Sequence, residues 1–221
     1  MDVDIASLPL VGGHPALDLV NTVTPRVAVR GVLPHDHLTD PPALLVWGRR
    51  AELLDESEAR AVAQAWRADP GAAHAALDAV REIRDALHEI LLAAIGEAAA
   101  DPAVTGRALD RMTGRWAAAA ARSRLTLDPA ADPVIRLWMG VAPIQLIPDR
   151  AADAAVSLLR AAEFDRLRRC PLADGGCGWL FLDRSRNGSR RWCRMADCGT
   201  EVKARRLTER RRDARSVNRQ N

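Results

Sequence analysis

The stretch CPLADGGCGWLFLDRSRNGSRRWCRMADC, residues 170–198, contains all four cysteines of the 221-residue chain, spaced C-x6-C-x15-C-x4-C. Two close cysteine pairs separated by a hairpin-length insert are the signature of a tetrahedral zinc site with four thiolate ligands. The first pair, Cys170 and Cys177, sits in Pro/Gly-rich turn sequence. The second, Cys193 and Cys198, leads into the helix-forming run TEVKARRLTERRRDAR. A knuckle, a hairpin and a ligand pair at a helix start make up the layout of a treble clef. Trp179, Leu180, Phe181, Leu182, Trp192 and Met195 supply the apolar material of this segment. They bury too little to offset the entropy of ordering it, so structural Zn2+ is expected to supply the difference. Two disulfides would need an oxidising compartment, yet MDVDIASLPL has no basic segment followed by an apolar one. Neither pair has the CxxC redox spacing. Four thiolates fill the zinc, which leaves no open position for catalysis. Asn187-Gly188 marks a tight turn between strands expected at about 179–183 and 190–193. Trp192 is expected to shield the thiolates, and Asp183 to cap the turn or pair with an arginine.

The wording CGWLFLDRSRNGSRRWCRMADCG, followed by K-A-R-R, resembles the zinc finger of the CGNR family, the ABATE-type stress-induced transcription regulators. LVGGHPALDLVNTV, near the N-terminus, is similar to the start of that family's helical domain, usually G-G-x-x-x-L-D-x-x-N-T. The resemblance runs from about residue 10 to about residue 206. It implies a DNA-directed regulator with a helical sensor domain over 1–165 and a zinc-finger domain over 166–221. One departure stands out. After Cys198 and Gly199 the family has Asn-Arg, whereas this chain has Thr200 and Glu201. Any nucleic-acid contact through that arginine is lost, and a carboxylate takes its place.

Charge divides along the same line. Residues 160–221 carry 17 basic and 8 acidic side chains, a net of +9, and the remainder is net −6. A basic module joined to an acidic one suits a nucleic-acid partner. In the terminal helix, expected over about 200–215, Val202 and Leu207 are the large apolar residues. Arg205, Arg206, Arg210, Arg211 and Arg212, with Lys203 and with Arg190 and Arg191 from the hairpin, form the candidate DNA-binding set. The plainer reading of such a charge run is a solvated face.

Upstream, helical periodicity dominates. Pro15 suits a helix start, and Leu17, Val20 and Thr24 recur at helical spacing. Asp18 and Asn21 are polar on this apolar helix. They either brace neighbouring backbone or, with His14, line a small-molecule effector site. Residues 25–40 read as a loop, in which His35-Asp36-His37 is expected to be solvated. Further helices are expected at about 42–54, 57–67 (Ser57 as N-cap), 72–99, 104–122 and 143–167. RLTL and VIRLW, around DPAADP at 128–133, read as a small β-hairpin. The expected fold is therefore mainly α, multihelical with a small hairpin, plus a C-terminal treble-clef-like finger.

No 18-residue uncharged apolar run is present, so no membrane span is expected, and the chain reads as cytoplasmic. No nucleophile–base pair, Gly-rich phosphate loop or HExxH appears, so enzymatic activity is not expected. The leading expectation is a zinc-binding transcription regulator whose partner is DNA, with an effector and a homodimer left open. Its rivals are a finger that binds protein and a helical domain that binds a small molecule.

Overall fold

A computed structural model describes residues 4–29, 31–96, 101–130, 132, 134–161, 163–205 and 207–208. The helices follow the apolar spacing, except that the first ends at Val20, with Thr24 in a strand, and the helix expected over 143–167 ends at Arg160, before a strand at Leu167–Arg169. They are α1 (Pro15–Val20), α2 (Pro41–Arg50), α3 (Glu56–Ala68), α4 (Pro70–Ala94), α5 (Pro102–Ala121) and α6 (Leu146–Arg160). Four of them start at a proline in the first turn, where its missing N–H costs nothing. Asp40, Asp55, Asp69 and Asp101 cap α2 to α5 by accepting backbone N–H bonds. The cap of α3 is Asp55 rather than Ser57. Asp55 and Glu58 form a reciprocal capping box, which places the start two residues earlier than the serine would.

Helix α4 is the central post, packing against α1, α2, α3, α5 and α6. Its stripe of Leu77, Val80, Ile83, Leu87 and Leu91 is buried, as the spacing of three and four requires. Leu17, Leu19, Leu44, Trp47 and Ile147 complete the centre of the core. Three two-stranded antiparallel sheets decorate the bundle: β1 (Val23–Thr24) with β2 (His35–Asp36), β3 (Arg124–Leu127) with β4 (Ile135–Trp138), and β5 (Leu167–Arg169) with β6 (Leu180–Leu182). Asp36 is not simply solvated. It accepts from Arg84 of α4 at 2.7 Å and pins the β1–β2 ribbon to the post.

The hairpin of the finger differs from expectation. Strand β6 pairs with β5, upstream of the first knuckle, and not with residues 190–193, which form no strand. The reason is local. Asp183 takes the backbone N–H groups of Ser185 (2.9 Å) and Arg190 (2.8 Å), which closes 183–190 into a loop. The 190–193 segment is thereby held away from β6. Asp183 thus caps, as its position suggested.

One apolar cluster joins Leu17, Trp47, Leu87 and Ile147 of the bundle to Trp179, Leu180, Phe181 and Leu182 of the finger. The finger is therefore seated on the bundle through shared core. Among the described residues, no helix is long and apolar enough to cross a membrane.

Candidate metal centre

The cysteines come from two knuckles. Cys170 follows β5, and its N–H donates to Trp179 O at 2.8 Å, which extends the β5–β6 ladder into the first knuckle. The turn CPLADGGC then brings Cys177 back beside it. At Gly176 an added Cβ would lie 2.7 Å from Cys170 Sγ, so only glycine lets the backbone pass the ligand sulfur. Cys193 and Cys198 flank the start of a π-helical turn, Met195–Gly199, which runs into helical backbone at 200–205.

All four sulfurs lie within 4.8 Å of one another. Cys177 Sγ is 3.4 Å from Cys193 Sγ, and Cys193 Sγ is 3.7 Å from Cys198 Sγ. A tetrahedron with Zn–S bonds of about 2.3 Å has edges of about 3.8 Å, whereas a disulfide needs about 2.0 Å. The four thiols are free. Their spacing is that of ligands around a central ion. A hydrogen bond from Cys177 drives Cys170 far below the usual thiol range, and the same contact pushes Cys177 up. Four thiolates can occupy so small a volume only around a divalent cation. Soft sulfur donors in a tetrahedral set suit zinc, and when bound it supplies a structural cross-link.

The N-terminal motif is the seat of this centre. Asn21, on the C-terminal end of α1, donates from Nδ2 to Leu180 O (2.8 Å) and accepts at Oδ1 from Leu180 N–H (3.0 Å). Its amide therefore acts as a one-residue strand on the outer edge of β6. Leu182 N–H donates to Gly12 O at 2.9 Å on the same edge. Trp179 Nε1 reaches Val23 O at 3.0 Å, and Arg26 N–H reaches Cys177 O at 3.1 Å. The Gly12-Gly13 pair makes this close approach feasible. A Cβ on Gly12 would sit 2.6 Å from Leu17 Cβ, and Gly13 has φ +79°.

Of the three candidate effector residues, Asp18 and Asn21 are buried and engaged by the protein itself. Asp18 Oδ1 accepts Gly12 N–H at 2.8 Å. Burial pushes its carboxyl up to about 6, against backbone hydrogen bonds from Gly12 and Val11 that pull the other way. His14 caps α1 by accepting Ala16 N–H at Nδ1, 3.2 Å. It also lines a cavity of about 400 Å³ with Glu52, Leu137, Trp138, Arg150 and Asp153.

The candidate DNA-binding arginines divide into two groups. Arg190 is turned inward. Its guanidinium lies over Phe181 at 4.4 Å, donates to Val11 O at 3.2 Å and also bonds Cys193 O. Arg205 donates to Asp174 O and Gly175 O and pairs with Glu201 at 3.2 Å, which ties the terminal helix to the first knuckle. Arg191 is exposed and paired with Asp174, and Lys203 is exposed. Arg206, Arg210, Arg211 and Arg212 lie outside the described residues. The sequence reading did not single out Arg184, Arg186 and Arg194, all exposed on the finger; Arg184 and Arg186 sit beside the Asn187-Gly188 turn, which was a usable signal, and Arg194 pairs with Asp197 at 3.3 Å. Trp192 is half-buried against the apolar cluster that includes Cys193, consistent with a shielding role.

Comparison with protein families gives two matches. The model described as "Putative stress-induced transcription regulator", ABATE, matches residues 13–162, more than half of the chain. The CGNR zinc finger matches residues 166–211. No curated protein matches the chain. With the GGHPALDLVNT motif seated against a four-cysteine zinc finger, the chain belongs to the ABATE family, the one described as "Putative stress-induced transcription regulator", and carries a CGNR zinc finger.

Proposed function

We propose that this zinc-binding regulator acts on DNA through the exposed basic surface of its finger, with zinc as a structural ion. The observation that carries this reading is the sorting of the finger's arginines. Arg190 and Arg205 are consumed in holding the knuckles, whereas Arg184, Arg186 and Lys203 stand exposed, as do Arg191 and Arg194, which pair at the surface with Asp174 and Asp197. Guanidinium forks on a small rigid domain suit phosphate oxygens. The finger half has a net charge of +9, and a zinc tetrathiolate lowers it to about +7. Four thiolates close the coordination sphere, so the reading includes no catalytic step.

The test is fluorescence anisotropy with duplex and single-stranded DNA over a salt series. Five phosphate contacts give log K against log salt a slope of about −4 to −5, and neutralising Arg184 and Arg186 removes about 0.9 each. Salt-independent binding, or no binding to either form, would overturn the reading. One observation favours the alternative of a protein-binding finger. Glu201, where the family has an arginine, pairs with Arg205 and lowers the positive charge at the start of the terminal helix. Under that alternative, charge reversal at Arg184 and Arg186 abolishes a protein contact and leaves DNA retention unchanged. The effector reading rests on the cavity at His14. A thermal-shift screen in which no small molecule raises the midpoint counts against it.

A further inference from the structure

Arg84, Asp85 and, one turn on, His88 share a face of α4. Arg84 is fully engaged there. It donates to Asp36 at 2.7 Å and to the two oxygens of Asp85 at 2.9 and 3.3 Å. Arg26, in the segment after β1, is not. Its side chain is 7% exposed, and its Nη1 reaches Asp85 at the long distance of 3.5 Å. Arg26 Nε and Nη2 are buried and have no hydrogen-bond partner among the described residues. The same holds for His88 Nε2 and for Thr24 Oγ1. Thr24 ends β1, two residues before Arg26 and two after Thr22, whose hydroxyl meets Arg84 at 3.4 Å.

The electrostatics separate the two arginines. Burial, then Arg84, pulls the Arg26 guanidinium down to about 10. For Arg84 burial is outweighed by the bonds to Asp85 and Asp36, which raise it. Burial, then Arg26 and Arg169, lowers His88 to about 3, so its ring is neutral and can donate from Nε2. Buried polar groups without partners are uncommon in folded proteins, and four of them gather here on three neighbouring side chains. The two on Arg26 are adjacent. Nε–H and Nη2–H form one edge of the guanidinium, the fork that matches two oxygens of a carboxylate or phosphate.

We propose that Arg26, His88 and Thr24 form a binding site for a small oxyanion, a carboxylate or a phosphate held by the Arg26 fork. Asp36 and Asp85 are both bonded to Arg84, which offsets their charge toward a second anion. Asp85 is 52% exposed and gives the cluster an approach from the surface. The site lies where the bundle meets the first zinc knuckle. Arg26 N–H donates to Cys177 O at 3.1 Å, and a Cβ on Gly178 would lie 3.6 Å from Arg26 Cβ. A bound oxyanion therefore ties α4 and the β1 segment together beneath the finger. The site uses none of the exposed arginines, so it stands apart from the DNA reading.

Isothermal titration calorimetry of the full zinc-loaded chain tests the proposal, with inorganic phosphate and acetate as separate probes and sodium chloride at matched ionic strength as control. Saturable binding of at least one oxyanion, and none of chloride, is expected; the tighter of the two identifies the headgroup class. Arg26→Lys keeps the charge and removes the fork, so it should weaken that binding at least about tenfold with zinc content unchanged. Hydrogen exchange on the unaltered chain supplies a readout that needs no variant: the oxyanion should slow exchange over 22–28 and 84–89. Arg184→Gln combined with Arg186→Gln should leave the affinity unchanged. The proposal is overturned if neither oxyanion saturates, if chloride binds equally, or if Arg26→Lys binds as tightly as the unaltered chain. It is equally overturned if the exchange footprint falls on the exposed arginines, or if the paired Arg184 and Arg186 substitutions abolish binding.

Discussion

Replacing Asn21 with alanine should undock the zinc finger, and its cost follows from two hydrogen bonds. Leu180 is fully buried, and both its N–H and its C=O bond the Asn21 amide, at 3.0 and 2.8 Å. Truncation leaves both backbone groups without a partner in a site that bulk water does not reach. Each such group costs about 1–3 kcal/mol, so the expected loss is about 3–4 kcal/mol once partial relaxation is allowed. For a chain of this length that lowers the thermal midpoint by roughly 6–16 °C. Asn21→Asp is expected to be at least as damaging, because one carboxylate oxygen must face Leu180 O. The readouts are chemical denaturation followed by tryptophan fluorescence, to which the buried Trp179 contributes, and zinc release to a chromophoric chelator. The two should shift together, since one apolar cluster spans bundle and finger. A loss below about 1 kcal/mol, or unchanged zinc release, would refute the idea that Asn21 couples the two halves.

Three further outcomes are expected. Removing zinc with a strong chelator should abolish hydrogen-exchange protection over 167–193 and lower the thermal midpoint by more than about 10 °C, since structural zinc contributes on the order of 10 kcal/mol; an unchanged apo midpoint would contradict a structural metal. Asp18 and His88 should impose opposite pH slopes on stability. The Asp18 carboxyl is raised by burial from 3.8 to about 6, so the folded state holds a proton that the unfolded state has lost, and stability falls as pH rises across that window. His88 is lowered from 6.5 to about 3, first by burial and then by Arg26, so the unfolded state takes up the proton and stability falls as pH drops through that window. The slopes are about 1.4 kcal/mol per pH unit each and offset between pH 4 and 6. Asp18→Asn should therefore steepen the acid loss relative to wild type, and His88→Gln should reverse it; identical pH profiles in urea titrations would refute both assignments. Finally, Arg190→Ala should lower stability and speed zinc release, because the side chain bonds Val11 O and Cys193 O. Arg186→Ala should leave both unchanged and weaken DNA retention alone.

Much of this molecule is legible without coordinates, and the legible parts are local. The helices are encoded in stripes such as Leu77, Val80, Ile83, Leu87 and Leu91 and in aspartate–proline starts, and both act within a few residues. Metal-site chemistry is equally local in composition, because four soft sulfurs in two tight pairs have few other uses. The β3–β4 hairpin was readable from its alternation. The strand pairing of the finger was not. The Asn187-Gly188 turn favours pairing of 179–183 with 190–193, but Asp183 holds Arg190 in a loop and leaves β6 to β5. Ser57 likewise looked like a cap until Asp55 and Glu58 closed a capping box beside it.

The sequence by itself determined a helical chain ending in a zinc-bound, arginine-rich finger, because helix periodicity and thiolate chemistry are properties of neighbouring residues. Only the tertiary structure decided that Asn21 meets Leu180, 159 positions away, and that Arg190 and Arg205 face inward while Arg184 and Arg186 face out. All arginines read alike in a sequence. Which of them holds the fold and which meets solvent depends on the carbonyls and rings that folding brings within reach.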